Sequence, residues 1–202
     1  MIGVYFITDP DAPQPVADQA LAAARGGARL IQLRDKHASD QDMAAQARAL
    51  MPALEKLGAK LVINDRVEVA CVVKAHGLHV GQGDGDPREI RRRIGPDMLL
   101  GLSVDCKAQL CRIPRATVSY LGVGPVRATA TKPDHAPPLG FERLERVVAA
   151  AGYPCVAIGG LGQGDAAAVR SAGAVGICFV SAISRSSDPE AATRVLCAEW
   201  SA

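Results

Sequence analysis

Eight times along this chain a short apolar run gives way to a polar or glycine-bearing junction, followed by an alanine-rich stretch with helical spacing. The runs are GVYFIT (3–8), ARLIQLR (28–34), AKLVIN (59–64), GLHVG (77–81), MLLGLSV (98–104), VSYLGVG (118–124), PCVAIGG (154–160) and VGICFVS (175–181). Strict alternation of strand and helix implies parallel strands joined by crossover helices. Eight such units predict an α/β fold of the closed (β/α)8 type, a compact TIM barrel formed as a single domain over residues 1–202. The competing arrangement is an open doubly wound sheet, and GGLGQG (159–164) has some likeness to a dinucleotide loop. That segment falls at the seventh strand rather than the first, and no acidic residue ends a strand about 20 residues later.

The helix signals are local and chemical. Ser39 and Asp42 have capping-box-like spacing, and Met43, Ala47, Leu50, Leu54 and Leu57 then recur at steps of three and four. Pro52 falls inside that pattern and predicts a kink or an early break. Asp188-Pro189-Glu190 reads as an N-cap and first turn, with Ala192, Val195, Leu196 and Trp200 on one face. RGGA (25–28), KAHG (74–77) and SAGAVG (171–176) stand where helices must stop before a strand begins.

Composition narrows the function classes. Half the residues are apolar but only 3% are aromatic, so Ala, Val, Leu and Ile must build the core. A net charge of +2 and one short basic run, Arg91-Arg92-Arg93, predict a solvated helix end and no nucleic-acid surface. No run reaches the roughly 18 uninterrupted apolar residues of a membrane span. Cys71, Cys106, Cys111, Cys155, Cys178 and Cys197 are scattered, without a CxxC pair or a leader segment, and read as reduced, mostly buried thiols of a cytoplasmic protein.

In a (β/α)8 barrel the C-terminal strand ends share one face. Those ends carry Gln32, Arg34 and Lys36; Asn64 and Asp65; His79, Gln82 and Asp84; Ser103; Thr129, Thr131 and Lys132; Gly159 and Gly160; and Ser181. Asp65 and Asp84 are the paired carboxylates that a hard cation such as Mg²⁺ uses, its other positions going to water and phosphate oxygens. Arg34, Lys36 and Lys132 add positive charge, and Thr129 and Thr131 add hydroxyls, as a pyrophosphate needs. Gly159-Gly160 and the Ser181 junction offer bare backbone N–H groups for a second, monophosphate group. The long irregular segment 127–140 carries the TATK stretch and reads as a functional loop.

The blocks YFITD (5–9), IQLRDK (31–36), INDRVEVA (63–70), GLHVGQGD (77–84), GLS (101–103), YLGVGPVRATATKPD (120–134), AIGGL (157–161) and VSAI (180–183) resemble the successive signature blocks of the thiamine phosphate synthase family. They run from end to end of the chain in the family's order, and 63–70, 77–84 and 120–134 are the specific ones. The resemblance implies a transferase of thiamine biosynthesis that joins 4-amino-2-methyl-5-hydroxymethylpyrimidine diphosphate to thiazole phosphate. It implies Mg²⁺ on Asp65 and Asp84, with Arg34, Lys36, Asn64 and Lys132 around the diphosphate. Gln32, His79 and Ser103 then match positions near the pyrimidine or leaving group, Thr129 and Thr131 a flexible loop, and Gly160, Val180 and Ser181 the thiazole-phosphate cradle. The catalytic assignments are Lys132, Arg34 and Ser103. Partners are small molecules alone, and a homo-oligomer is permitted by the sequence. One departure stands out: the family's Ser-x-His after strand five is here Ser103-Val104-Asp105-Cys106.

Plainer readings exist for each residue. His79 alternates with apolar neighbours and suits a barrel-lining histidine with satisfied nitrogens. His37, His76 and His135 read as surface residues, Asp65 as a cap for a helix over 66–74, Lys36 as a solvated loop charge, and Gly159-Gly160 as a tight turn. Ser103 has no paired base nearby in sequence, which argues against a Ser/His/Asp hydrolase. The alternative functions are a thiazole tautomerase-like barrel, a non-catalytic binder of thiamine precursors, and a sugar-phosphate epimerase.

Overall fold

In the computed structural model, which describes residues 2–132 and 136–202, the eight apolar runs are eight parallel strands. They are β1 (Gly3–Ile7), β2 (Leu30–Leu33), β3 (Lys60–Asn64), β4 (Gly77–Val80), β5 (Leu99–Val104), β6 (Tyr120–Val123), β7 (Cys155–Ile158) and β8 (Gly176–Phe179). Each pairs with its neighbours in chain order, and β8 returns to β1 through Gly3↔Gly176 to Phe6↔Phe179, closing the barrel. An open doubly wound sheet is thereby excluded. The helices are α1 (Val16–Arg25), α2 (Asp40–Lys56), α3 (Val67–Val73), α4 (Pro87–Ile94), α5 (Lys107–Leu110), α6 (Gly140–Ala151), α7 (Ala166–Ser171), α8 (Ser181–Ser184) and α9 (Pro189–Ser201).

Two cores result from strands buried on both faces. The larger lies between barrel and helices, where Phe6, Ile31, Leu61, Leu78, Leu100, Leu121, Ala157 and Phe179 meet the apolar helix faces. The smaller fills the barrel with Tyr5, Ile7, Leu30, Val62, Tyr120, Val156 and Cys178. Full burial of such side chains contributes about 1.5–3 kcal/mol each. The interior is therefore a packed plug, and the floor of whatever lies at the strand ends is rigid.

Ser39 caps α2, its hydroxyl accepting the Asp42 N–H at 3.1 Å and donating to the Asp42 carboxylate at 2.6 Å. Pro52 does not end that helix. Met43, Ala47, Leu50 and Leu54 are buried on both sides of it, and that burial outweighs the roughly 3 kcal/mol cost of an interior proline. Asp188 caps α9 by accepting the Ala191 N–H at 2.9 Å, with Pro189 in the first turn. The buried face of α9 carries Thr193, Leu196 and Trp200, whereas Val195 turns to solvent. At 74–77 the left-handed stop is Lys74, at φ 53°, and not a glycine.

Three other expectations change on folding. Arg91 is no solvated helix-end charge: its guanidinium donates to the carbonyls of Thr117, Gly95 and Met98, tying the end of α4 to the approaches of β5 and β6. Arg92 and Arg93 pair with Glu89 and Glu68. His37 is exposed, but His76 is half-buried and its Nδ1 accepts the Leu61 N–H at 3.2 Å; His135 lies outside the described residues. The six thiols are free, yet only Cys155 and Cys178 are buried, and burial pushes the Cys155 thiol up to about 11 and Cys178 higher still. A thiol reagent at neutral pH is expected to modify the exposed Cys106 and Cys111 first and to reach Cys155 and Cys178 only on unfolding. Peptide mapping after a short maleimide pulse checks this; early labelling of Cys178 would contradict the closed barrel interior. Among the described residues no helix is long and apolar enough to cross a membrane.

Candidate active site

A cavity of about 480 Å³ opens at the C-terminal ends of the strands, within the range of small-ligand sites. Gln32, Arg34 and Lys36 line it from the end of β2, Asn64 and Asp65 from β3, His79 and Asp84 from β4, and Ser103 from β5. Thr129, Thr131 and Lys132 reach it from the segment after β6, Gly159 and Gly160 from β7, and Val180 and Ser181 from β8. Every candidate drawn from strand ends thus faces one space, although the residues run from position 32 to position 181 of the sequence.

Backbone locks hold these side chains in place. The Thr8 hydroxyl at the end of β1 accepts the Arg34 N–H at 2.9 Å and donates to the Arg34 carbonyl at 3.0 Å, fixing the strand-two loop. Asp65 occupies the left-handed region at φ 49°, uncommon for a residue with a side chain. Its N–H donates to the His79 carbonyl at 2.8 Å, and its carboxylate accepts from Lys36 Nζ at 2.7 Å. The helix-cap reading therefore fails: α3 is preceded by Arg66 and receives no side-chain cap. Nor is Lys36 a lone loop charge. Asp84 accepts the Gly81 N–H at 2.6 Å, closing the turn after β4 on itself.

The charges divide into committed and free. Arg185 pairs with the buried Asp9 at 3.3 Å, Arg127 with the buried Asp165 at 2.6 Å, and Lys36 with Asp65. Among the described residues the Arg34 and Lys132 side chains take part in no ion pair, which leaves two cations of the cavity for an anionic ligand. No group of three or more His, Cys, Asp or Glu among the described residues could hold a metal unaided. Asp65 and Asp84 both line the cavity, and two carboxylates are the donor type suited to an ion such as Mg²⁺, whose remaining oxygens come from water and a bound phosphate.

Gly159 and Gly160 have positive φ, 101° and 63°, and do more than permit a turn. A Cβ on Gly159 would lie 2.4 Å from Pro125 Cβ, and one on Gly160 would lie 2.4 Å from the Ala128 carbonyl oxygen. The segment leaving β6 packs directly on these glycines, and the N–H groups of Val126 and Arg127 donate to the carbonyls of Ile158 and Gly159 at 2.9 Å. Leu139 and Gly140 donate back to Pro125 and Val126. The long loop is thus pinned at both ends while its middle carries Thr129, Thr131 and Lys132.

Sequence reasoning missed the residues behind the cavity floor. Gln32 Nε2 lies 2.6 Å from the Tyr5 hydroxyl, which lies 3.0 Å from that of Tyr120. Tyr120 lies 3.0 Å from His79 Nδ1, and His79 Nε2 lies 3.0 Å from Ser103 Oγ. Ser103 does therefore have an imidazole within reach, contrary to the expectation from sequence, and His79 is the satisfied barrel-lining histidine of the plainer reading. Burial pushes the His79 imidazole down to about 4, so it is neutral at pH 7. The room for this chain comes from Gly101 in β5, where a Cβ would fall 2.3 Å from His79 Nδ1 and 2.4 Å from the Tyr120 oxygen. Gln82, whose amide donates to the Ser103 carbonyl at 2.6 Å, and Asp105, which stands at the place of the family's histidine, also border the cavity.

A closed barrel of eight parallel strands with one cavity at their C-terminal ends, where Gly159, Gly160 and Ser181 follow strands seven and eight, defines the class as (β/α)8 barrels, in which that face is where phosphate-bearing ligands are commonly held. Comparison with known proteins narrows the class. Residues 4–183 match the family model described as thiamine monophosphate synthase. The chain is 44% identical over 195 residues to a thiamine-phosphate synthase of Roseiflexus sp. (strain RS-1), covering 96% of this chain and 83% of that one. It is also 44% identical over 195 residues to that of Xanthobacter autotrophicus (strain ATCC BAA-1158 / Py2), covering 96% and 92%. The structure of a thiamine phosphate pyrophosphorylase from Pyrococcus furiosus superposes with a TM-score of 0.90 at 30% identity, over 99% of this chain and 96% of that one. A 3-hexulose-6-phosphate synthase, at 16% identity and a TM-score of 0.65 over 96% of this chain and 99% of that one, shares the fold alone. The chain belongs to the thiamine monophosphate synthase family, a family of transferases.

Proposed function

We propose that the protein joins 4-amino-2-methyl-5-hydroxymethylpyrimidine diphosphate to thiazole phosphate, giving thiamine phosphate and pyrophosphate. One observation carries the reading: Arg34 and Lys132, free of ion pairs among the described residues, share a cavity with the Asp65/Asp84 pair and with the Gly160 and Ser181 backbone. Two anionic groups are thereby provided for, a diphosphate and a monophosphate. An electron-rich aminopyrimidine delocalises the cation left when pyrophosphate departs from its benzyl-like carbon, so a dissociative substitution needs no protein nucleophile. The side chains are asked to stabilise charge on the leaving group and to hold the thiazole nitrogen against the developing cation. Arg34, Lys132 and the Thr129 and Thr131 hydroxyls serve the leaving group; Gln32, Asn64, His79 and Ser103 orient the pyrimidine; Gly159, Gly160, Val180 and Ser181 hold the monophosphate. Mg²⁺, held by Asp65 and Asp84, would supply further neutralisation of the diphosphate oxygens.

The test mixes purified protein with both substrates, with and without Mg²⁺, and follows thiamine phosphate by its fluorescent oxidised derivative together with released pyrophosphate. Metal-dependent formation of the two products in equal amounts is the expected result. No product from protein shown to be folded would overturn the proposal and favour the tautomerase-like or binding alternatives.

A further inference from the structure

The buried chain from Gln32 to Ser103 has only one way to place its hydrogens. The Gln32 amide nitrogen is a donor and cannot accept, so the hydrogen in its contact with Tyr5 is its own. Among the described residues the Tyr5 hydroxyl bonds only to that amide and Tyr120, so its single hydrogen points to the Tyr120 oxygen. The Tyr120 hydroxyl likewise bonds only to Tyr5 and His79, so its hydrogen points to His79 Nδ1. A ring nitrogen that accepts carries no proton, and an imidazolium would strand the Tyr120 hydrogen in a fully buried place. The proton of His79 therefore sits on Nε2 and is donated to Ser103 Oγ.

We propose that this one-way chain makes Ser103 a hydrogen-bond donor to the substrate, with Tyr5 and Tyr120 as positioning residues acting through His79. Ser103 Oγ receives a hydrogen from behind and keeps its own for the cavity it borders. Each bond polarises the next, by about 10–30% in condensed-phase terms, so Ser103 is a better donor than an isolated serine. The same wiring forbids nucleophilic use, because the nitrogen facing Ser103 is protonated and cannot take its proton. A Ser–His pair at 3.0 Å thus has the polarity opposite to that of a hydrolase. The acceptor is a ring nitrogen of the pyrimidine or an oxygen of its diphosphate; only this identity rests on the function proposed above.

The first experiment needs no substrate. Protein labelled with ¹⁵N-histidine is recorded by long-range ¹H–¹⁵N correlation at pH 7, with Gly101 left intact so that the chain is undisturbed. A single tautomer for His79, protonated on Nε2 and bare on Nδ1, is the expected result. The reverse tautomer, an imidazolium, or an equal mixture would overturn the proposal. Tyr120→Phe then removes the donor to Nδ1, and both tautomers are expected; an unchanged spectrum of His79 would overturn the role given to Tyr120.

Kinetics supply the second arm. Ser103→Ala and Tyr120→Phe are each expected to lower kcat/KM for the pyrimidine diphosphate about tenfold, and the double variant no further than either alone. KM for thiazole phosphate should move less than about twofold, which general loosening of the barrel would not spare. Fully additive losses would overturn the coupling. The pyrimidine diphosphate and the phosphate-free hydroxymethylpyrimidine, compared by direct binding, separate the two acceptors: a Ser103→Ala loss against both assigns the ring nitrogen, and a loss against the diphosphate alone assigns a diphosphate oxygen. Failure of wild-type turnover with the expected tautomer in place would strike the functional proposal and leave the wiring of Ser103 standing.

Discussion

Lys132→Ala is expected to lower turnover about a hundredfold while leaving KM for thiazole phosphate within a few-fold of its starting value. Lys132 is exposed, lines the cavity, and has no ion-pair partner among the described residues, so none of them draws on its charge. In the proposed reaction that charge would act on the leaving group as pyrophosphate separates from the pyrimidine. Loss of one preorganised group of this kind costs about 10²–10³ in rate. The same exposure predicts that the variant melts where the wild type does, because a surface substitution of this kind shifts stability by only about 0.5 kcal/mol. Lys132→Arg should recover part of the rate, since it keeps the charge and alters the donor geometry. Single-turnover kinetics on the pyrimidine diphosphate decide the matter: near-normal turnover, or a change confined to KM, would remove Lys132 from the leaving-group role.

TATK alone supports this expectation because strand-end chemistry is legible in sequence once the strands are counted. The eight apolar runs are distinct, each is closed by a polar or glycine-bearing junction, and a closed barrel converts those endings into one cavity. What could not be read was direction. Strands buried on both faces show no alternation of polar and apolar residues, so nothing marks Tyr5 and Tyr120 as inward-facing while Phe6 and Leu121 face the helices. Only the pairing Tyr120↔Gly101↔His79 across β6, β5 and β4 brings that tyrosine and histidine together over a missing side chain. The weak signal available was Gly101 itself, a glycine inside a strand, where close approach of another group is the usual cause.

Arg91 and Asp65 show the same limit from opposite directions. A basic triplet suggested solvation, but the first arginine faces three carbonyl groups around the turn into β5, and its planar fork suits them. An aspartate before a helix suggested a cap, but its left-handed backbone turns the carboxylate toward Lys36 and the cavity. Local propensity speaks of the nearest helix; Arg91 answers to the turns leading into β5 and β6, and Asp65 to Lys36 in the loop after β2.

Gly159→Ala is expected to damage stability and monophosphate binding together. The φ of 101° lies outside the conformations open to alanine at low cost, and such backbone strain costs about 1–3 kcal/mol. The new methyl group would also meet Pro125 Cβ at 2.4 Å and Pro125 Cα at 2.6 Å, and crowding against backbone adds about 1–3 kcal/mol. A total loss of about 2–6 kcal/mol in unfolding free energy follows from the two costs together, with relief available only by moving the segment after β6. That segment donates to the Ile158 and Gly159 carbonyls and leads to Thr129 and Lys132, so displacement should raise KM for thiazole phosphate and lower kcat at once. Gly162→Ala is the control from the same loop: its φ is not positive and no atom lies within 4 Å of where its methyl group would sit, so stability should change by less than about 0.5 kcal/mol. Urea unfolding of both variants, read beside their KM values, checks the prediction. A Gly159→Ala protein as stable as Gly162→Ala would mean that the loop yields freely, and that the glycine serves the ligand by bare backbone access rather than by carrying the loop above it.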